Sequence, residues 1–152
     1  MKSTVKVARN EDELHAIARE LVPHLEPGRS VLLWGPLGAG KTTFVRALAR
    51  EFGIKDDVSS PTFVFWHRYN GSVPIVHVDL YRIKELRELS ELGLEEAFDP
   101  AAITIIEWPA FLVGMLPEGS VCAEVEIEGA GSEPRTVTIT VPGLPTEPDA
   151  AS

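Results

Sequence analysis

Apolar residues recur along this chain with two periods, and the switching between them lays out most of the secondary structure before any motif is considered. Residues 4–8, TVKVA, alternate as a short strand. Asn10 followed by Glu13 has the pattern of a helix N-cap with its reciprocal partner. Leu14, Ile17, Ala18, Leu21 and Leu25 then form one apolar stripe. Pro23 removes a backbone donor, so the last turn of that helix is expected to kink or shorten. His15 and His24 lie on this helix without metal spacing and read as surface residues. Pro27-Gly28 turns into residues 30–34, SVLLW, a buried strand. Beyond a glycine-rich stretch, Phe44, Val45, Leu48, Ala49 and Phe52 return at helical spacing and stop at Gly53, a residue suited to a C-terminal cap.

Residues 55–62, KDDVSSPT, have turn chemistry and no apolar period, so they are expected to be a loop. The aromatic and β-branched run 63–69 predicts a strand, Asn70-Gly71 a tight hairpin turn, and 74–80 its partner. Leu86, Leu89, Leu92 and Leu94 sit in a charged segment that reads as short helices broken at Gly93. Residues 102–107, AITIIE, form another buried strand that Pro109 stops. Two strands, 121–128 and 135–141, close the pattern around a flexible connection, 129–134. Residues 142–152 lack periodicity and core residues and are expected to be a disordered tail.

Composition narrows the class. A chain of 152 residues is the size of one domain, here 1–141, and buries roughly 70% of its unfolded surface. The single Cys122 excludes an internal disulfide. No signal-like segment and no apolar run near 18 residues is present, so a cytoplasmic protein without membrane contact is expected. A net charge of -9 disfavours unaided nucleic-acid binding, which needs a basic face. Any contact with RNA is expected to be indirect, and a monomer is favoured.

Candidate chemistry concentrates in residues 35–43, GPLGAGKTT, which fill every position of the phosphate-binding loop G-x-x-x-x-G-K-[ST] between a strand and a helix. Glycines let successive backbone N–H groups converge on phosphate oxygens, and the helix start adds a partial positive charge. Lys41 reaches the β- and γ-phosphates and is expected to face solvent without them, while the Thr42 hydroxyl is placed for magnesium. Asp79 and Glu107 each close an apolar strand, the position from which such proteins hold magnesium or its waters, and both are candidates. Thr62, in the loop before a strand, reads either as a γ-phosphate sensor or as an ordinary turn residue.

Four segments then form a set: GPLGAGKTT at 35–43, SPTF at 60–63, HVDLYR at 77–82 and IEWP at 106–109. In this order and spacing they resemble the bacterial TsaE (YjeE) family, the ATPase component of tRNA threonylcarbamoyladenosine biosynthesis. The resemblance spans residues 1–141. It implies a three-layer α/β/α P-loop NTPase-like fold with a mixed sheet, ATP and Mg2+ as cofactors, and a complex of TsaD and TsaB as partners, with tRNA reached only through them. Under it, Gly35, Pro36, Leu37, Gly38, Ala39, Gly40, Lys41, Thr42 and Thr43 cradle the nucleotide, and Thr42 and Glu107 hold magnesium. Asp79 assists hydrolysis, Thr62 belongs to a switch-like loop, and Trp108 adjoins the nucleotide. Pro36 stands where an acidic or polar residue is expected, at a position that contributes only backbone.

Arg68 and Arg82 are the candidates for an arginine finger, although each also reads as a surface or strand-end arginine. Without a finger, worth about 10³ to 10⁵ in rate, the chain alone is expected to hydrolyse ATP slowly. Two other classes use the same loop. A small-molecule kinase needs an arginine-rich lid, which no compact segment supplies, and a GTP switch needs the Asn/Thr-Lys-x-Asp signature, which is absent. A nucleotide-gated binding module with little catalysis is the remaining alternative.

Overall fold

The alternating N-terminal residues form β1 (Lys2–Ala8), and Asn10 then caps α1 (Glu11–Leu21) by accepting the Glu13 backbone N–H at 2.9 Å. The return bond falls one residue earlier than expected, since the Glu13 carboxylate accepts from the Arg9 N–H. Pro23 ends α1 as a 3₁₀ turn, Val22–His24. His15 and His24 are half-buried rather than exposed. The chain continues through β2 (Ser30–Trp34), α2 (Lys41–Glu51), β3 (Trp66–Tyr69), β4 (Ile75–Asp79), α3 (Leu94–Ala97), β5 (Ile103–Glu107), α4 (Ala110–Val113), β6 (Val121–Glu128) and β7 (Arg135–Val141). This computed structural model describes residues 2–61, 64–117 and 119–141. Thr62 and the expected tail, 142–152, lie outside the described residues.

The described strands form one seven-stranded mixed sheet in the order β1-β7-β6-β2-β5-β4-β3. β2 occupies its centre, parallel to β5 on one side and to β6 on the other. β4 runs parallel to β5, while β3–β4, β6–β7 and β1–β7 pair antiparallel. Period-two alternation sends neighbouring residues to opposite faces. Val31, Leu33, Ile75, Ile103 and Ile105 pack with α1 and α2, whereas Leu32, Val76, Val78 and Ile106 pack with α3, α4 and Leu89 of the 3₁₀ turn Leu86–Glu91. The sheet thus lies between two layers, the second built only from short pieces split at Gly93.

Two local expectations fail, for identifiable reasons. β3 starts at Trp66 because the preceding residues turn: Val64 and Phe65 N–H groups both donate to the Pro61 carbonyl, and Phe65 has a left-handed φ of 71°. Asn70-Gly71 is not a two-residue turn, since Tyr69 already pairs with Ile75 across a five-residue loop. Gly71 is needed for close approach instead. A Cβ there would collide with the Phe52 carbonyl oxygen, which accepts the Ser72 N–H at 2.7 Å.

Candidate functional site

The loop between β2 and α2 lies at the carboxyl end of the central strand, where ligands of open α/β sheets bind. Gly35 opens it with φ 147°, and a Cβ there would strike the Ile127 carbonyl of β6. Gly40 occupies the N-cap of α2, whose first turn carries neither a side-chain cap nor an acidic residue. The first amides of α2 are therefore not used by a capping side chain, an arrangement that attracts anions.

Lys41 does not face solvent as its motif suggested. It is 5% exposed, donates to the carbonyls of Gly35 at 2.5 Å and Pro36 at 3.1 Å, and holds its ammonium 3.9 Å from the centroid of the Trp108 ring. Burial pushes its pKa below the usual lysine value, opposed by the attraction of Glu107 and Asp79. Trp108 reaches this place through a left-handed φ of 57° immediately after Glu107, and its ring also packs on Tyr81, centroid to centroid 4.9 Å.

The two strand-end carboxylates are register partners on β4 and β5, and each is 3% exposed. Their partners differ. Glu107 Oε2 accepts the Thr42 hydroxyl at 3.0 Å and is 2.5 Å from Nε2 of His77. Asp79 Oδ2 accepts the Ser60 hydroxyl at 2.5 Å, while Oδ1 accepts the Tyr81 N–H at 2.8 Å. One carboxylate is thus tied to the start of α2 and the other to the loop before β3.

Together these groups line a cleft of about 380 Å³ bounded by Leu37, Gly38, Lys41, Thr42, Asp79, Glu107 and Trp108, among others. A second cavity of about 300 Å³ adjoins it, sharing Gly38, Gly40 and Thr43, and is walled by Asn10, Leu14 and the β6–β7 turn. Arg135 fastens that turn to the loop. Its guanidinium donates to the carbonyls of Ala39 at 2.8 Å, Gly38 at 3.3 Å, Gly131 at 3.1 Å and Glu133.

The structure therefore brings Lys41, Thr42, Thr43, Asp79, Glu107 and Trp108 into one cleft. Arg68 and Arg82 do not line it. Arg68 pairs with Asp99 at 2.6 Å, and Arg82 lies 6.0 Å from the centroid of the Phe65 ring. Ser60, His77 and Arg135 went unassigned by sequence reasoning. His77 carried a usable signal, since it shares a face of β4 with Asp79, two residues on; Arg135 carried none.

The donor set fits a hard divalent cation that completes its shell with phosphate and water. Thr42 and Glu107 offer a hydroxyl and a carboxylate oxygen 3.0 Å apart, and magnesium is commonly held by one or two carboxylates plus substrate phosphates. Among the described residues no three His, Cys, Asp or Glu side chains gather into a cage of their own. No helix among them is long and apolar enough to cross a membrane.

Comparison with known proteins agrees in sequence and in fold. The family model described as threonylcarbamoyl adenosine biosynthesis protein TsaE matches residues 8–137. The tRNA threonylcarbamoyladenosine biosynthesis protein TsaE of Bacillus subtilis is 37% identical over 135 residues, covering 88% of this chain and 83% of its own. The protein of the same name from Rickettsia bellii is 35% identical over 142 residues, covering 92% and 96%. The crystal structure of Bacillus subtilis YdiB superposes with a TM-score of 0.74 at 32% identity, covering 92% of this chain and 86% of that one.

Proposed function

Since this chain belongs to the TsaE family of threonylcarbamoyl adenosine biosynthesis proteins, we propose that it is the ATP-binding and ATP-hydrolysing subunit of the machinery that makes threonylcarbamoyladenosine in tRNA. Residues 1–141 act as one P-loop ATPase domain. It works through partner proteins, TsaD and TsaB, and meets tRNA only through them, in keeping with a net charge of -9. The observation that carries this reading is the convergence of Lys41, Thr42, Asp79 and Glu107 on one cleft at the start of α2.

Each group has a task that its position suits. The amides opening α2 and the Lys41 ammonium meet the β- and γ-phosphate oxygens, and the second cavity, between Asn10 and the β6–β7 turn, has room for the nucleoside. Thr42 and Glu107 would hold magnesium, which when bound neutralises charge on the phosphates. Asp79 orients the attacking water, and Trp108 covers Lys41 and keeps bulk water from that side of the cleft. No arginine lines the cleft among the described residues, which supports slow turnover by the chain alone and faster turnover once a partner supplies the missing charge.

The loop that carries Ser60 and Thr62 links nucleotide state to partner binding. Through the Ser60 hydroxyl it already meets Asp79, and Thr62 is assigned the γ-phosphate contact. A typical coupling of about 1–3 kcal/mol would change partner affinity roughly 5- to 150-fold between ATP and ADP states. The test measures ATP and GTP turnover by the purified chain, alone and with the proteins it retains from bacterial lysate. Partner affinity is then measured with ADP and with a non-hydrolysable ATP analogue. Slow ATP-selective turnover that rises with partner is expected, and Thr62→Ala should shrink the ATP–ADP difference. A phosphorylated small-molecule product, or an equal response to GTP, would overturn the reading.

A further inference from the structure

A histidine stands where an aliphatic residue would fill β4 at no polar cost. Every residue of β4 is buried, and His77 is 0% exposed, flanked along the strand by Val76 and Val78. Burying an imidazole is unfavourable unless its polar atoms are satisfied, and here only one of them is. Nε2 lies 2.5 Å from Glu107 Oε2, whereas Nδ1 has no partner among the described residues. The imidazole is thus committed to a single contact, with Glu107.

Register explains why the contact is possible. Ile105 of β5 pairs with His77 and Glu107 pairs with Asp79, so His77 lies one same-face step deeper in the sheet than the carboxylate it reaches. It approaches Glu107 from within the core while Thr42 approaches from the start of α2, and both bonds fall on the same oxygen, Oε2. A carboxylate pinned from two sides cannot turn freely about its last bond. Partners of this kind hold ligating groups in place, and their loss typically weakens metal binding about 10- to 100-fold.

We propose that His77 is a positioning residue that fixes the Glu107 carboxylate and thereby sets how strongly the cleft holds a divalent cation with its nucleotide. This rests on the reading of Glu107 as a magnesium ligand. His77 is fully buried and is not among the residues that line the cleft. Its effect is therefore confined to the metal-dependent part of binding.

The experiment titrates Mg2+ into the full chain bound to a fluorescent non-hydrolysable ATP analogue and also measures affinity for that analogue in EDTA. His77→Leu removes the donor at similar bulk. His77→Gln can keep an N–H near the position of Nε2, and His77→Asn is too short to do so. His77→Leu and His77→Asn are expected to raise the Mg2+ midpoint roughly 10-fold or more with EDTA affinity unchanged, and His77→Gln to stay close to the wild-type midpoint. Adding His77→Leu to Glu107→Gln should shift the midpoint no further. An unchanged midpoint in His77→Leu and His77→Asn, equal shifts in His77→Gln and His77→Asn, or additive effects in the double variant would overturn the proposal. If His77→Leu fails to fold, the Gln–Asn contrast decides. A Glu107→Gln midpoint equal to wild type would instead overturn the magnesium assignment on which the proposal stands.

Discussion

Asp79 and Glu107 face each other as register partners at the ends of adjacent parallel strands, yet they are bonded to opposite walls of the cleft. Glu107 is tied to Thr42 on α2, and Asp79 to Ser60 on the loop before β3. Like charges so placed would repel, and Lys41 lies close enough that both carboxylates raise its pKa against the lowering by burial.

This division of partners predicts different losses. Glu107→Gln should raise the Mg2+ requirement for nucleotide binding and turnover while leaving metal-free binding nearly intact. Asp79→Asn should lower turnover by about 10²-fold or more with the Mg2+ midpoint little changed, as expected of a group that acts on the water. Mg2+ titrations of both variants decide the matter, and the opposite pattern would exchange the two roles.

Lys41→Ala should abolish tight nucleotide binding without unfolding the chain. The lowered pKa of Lys41 adds a pH signature. Above that lowered value the free protein carries a neutral amine, and phosphate binding must recharge it. Nucleotide affinity should therefore begin to fall at a pH below the ordinary lysine value of 10.5, with proton uptake visible by calorimetry in buffers of different ionisation enthalpy. For stability the sign is also fixed, because the folded value lies below the unfolded one: the burial penalty is complete below the folded value and is relieved as pH climbs through it toward the unfolded one. Lys41→Arg, which stays charged, should lose both slopes.

Arg135→Ala should loosen the far wall of the site. Hydrogen bonds from a charged donor are worth about 1.5–3 kcal/mol each when buried and less when exposed, as most of these are. A net loss of about 1–3 kcal/mol would lower the melting temperature by roughly 2–12 °C in a domain of this size. Nucleotide affinity should fall with the Mg2+ midpoint unchanged, which separates this variant from those at His77. Arg135→Lys should not rescue, since a point charge cannot serve four carbonyls in different directions.

What was legible in the sequence is what local pattern encodes. The strand, loop and helix around residues 35–43 announce themselves because glycine positions and apolar period sit within one short window, and the cap at Asn10 does so for the same reason. The burial of Lys41 was not legible in local pattern, because Trp108, which only the family resemblance put beside the nucleotide, lies far along the chain and reaches it through a left-handed turn. Arg135 is 96 residues from the carbonyl of Ala39 that it binds, and no periodicity reports a contact of that kind. Asn70-Gly71 misled for a related reason: its glycine answers to the Phe52 carbonyl, a neighbour in space and not in the turn.

The sheet order also dictates when the site can be finished during synthesis. β1 leaves the ribosome ahead of every other described element, yet its only neighbour in the sheet is β7, the last of them, through pairs as distant as Lys2 with Val141. At about 5–20 residues per second, the first strand waits many seconds for its partner. Meanwhile β2, β4 and β5 can assemble with α2 and bring Thr42, Asp79 and Glu107 together. Arg135 opens β7, so the fastening of the loop between β2 and α2 arrives with the closing strand. A chain halted before that strand would carry the carboxylates and the lysine of the cleft but not the clamp that holds its loop in shape.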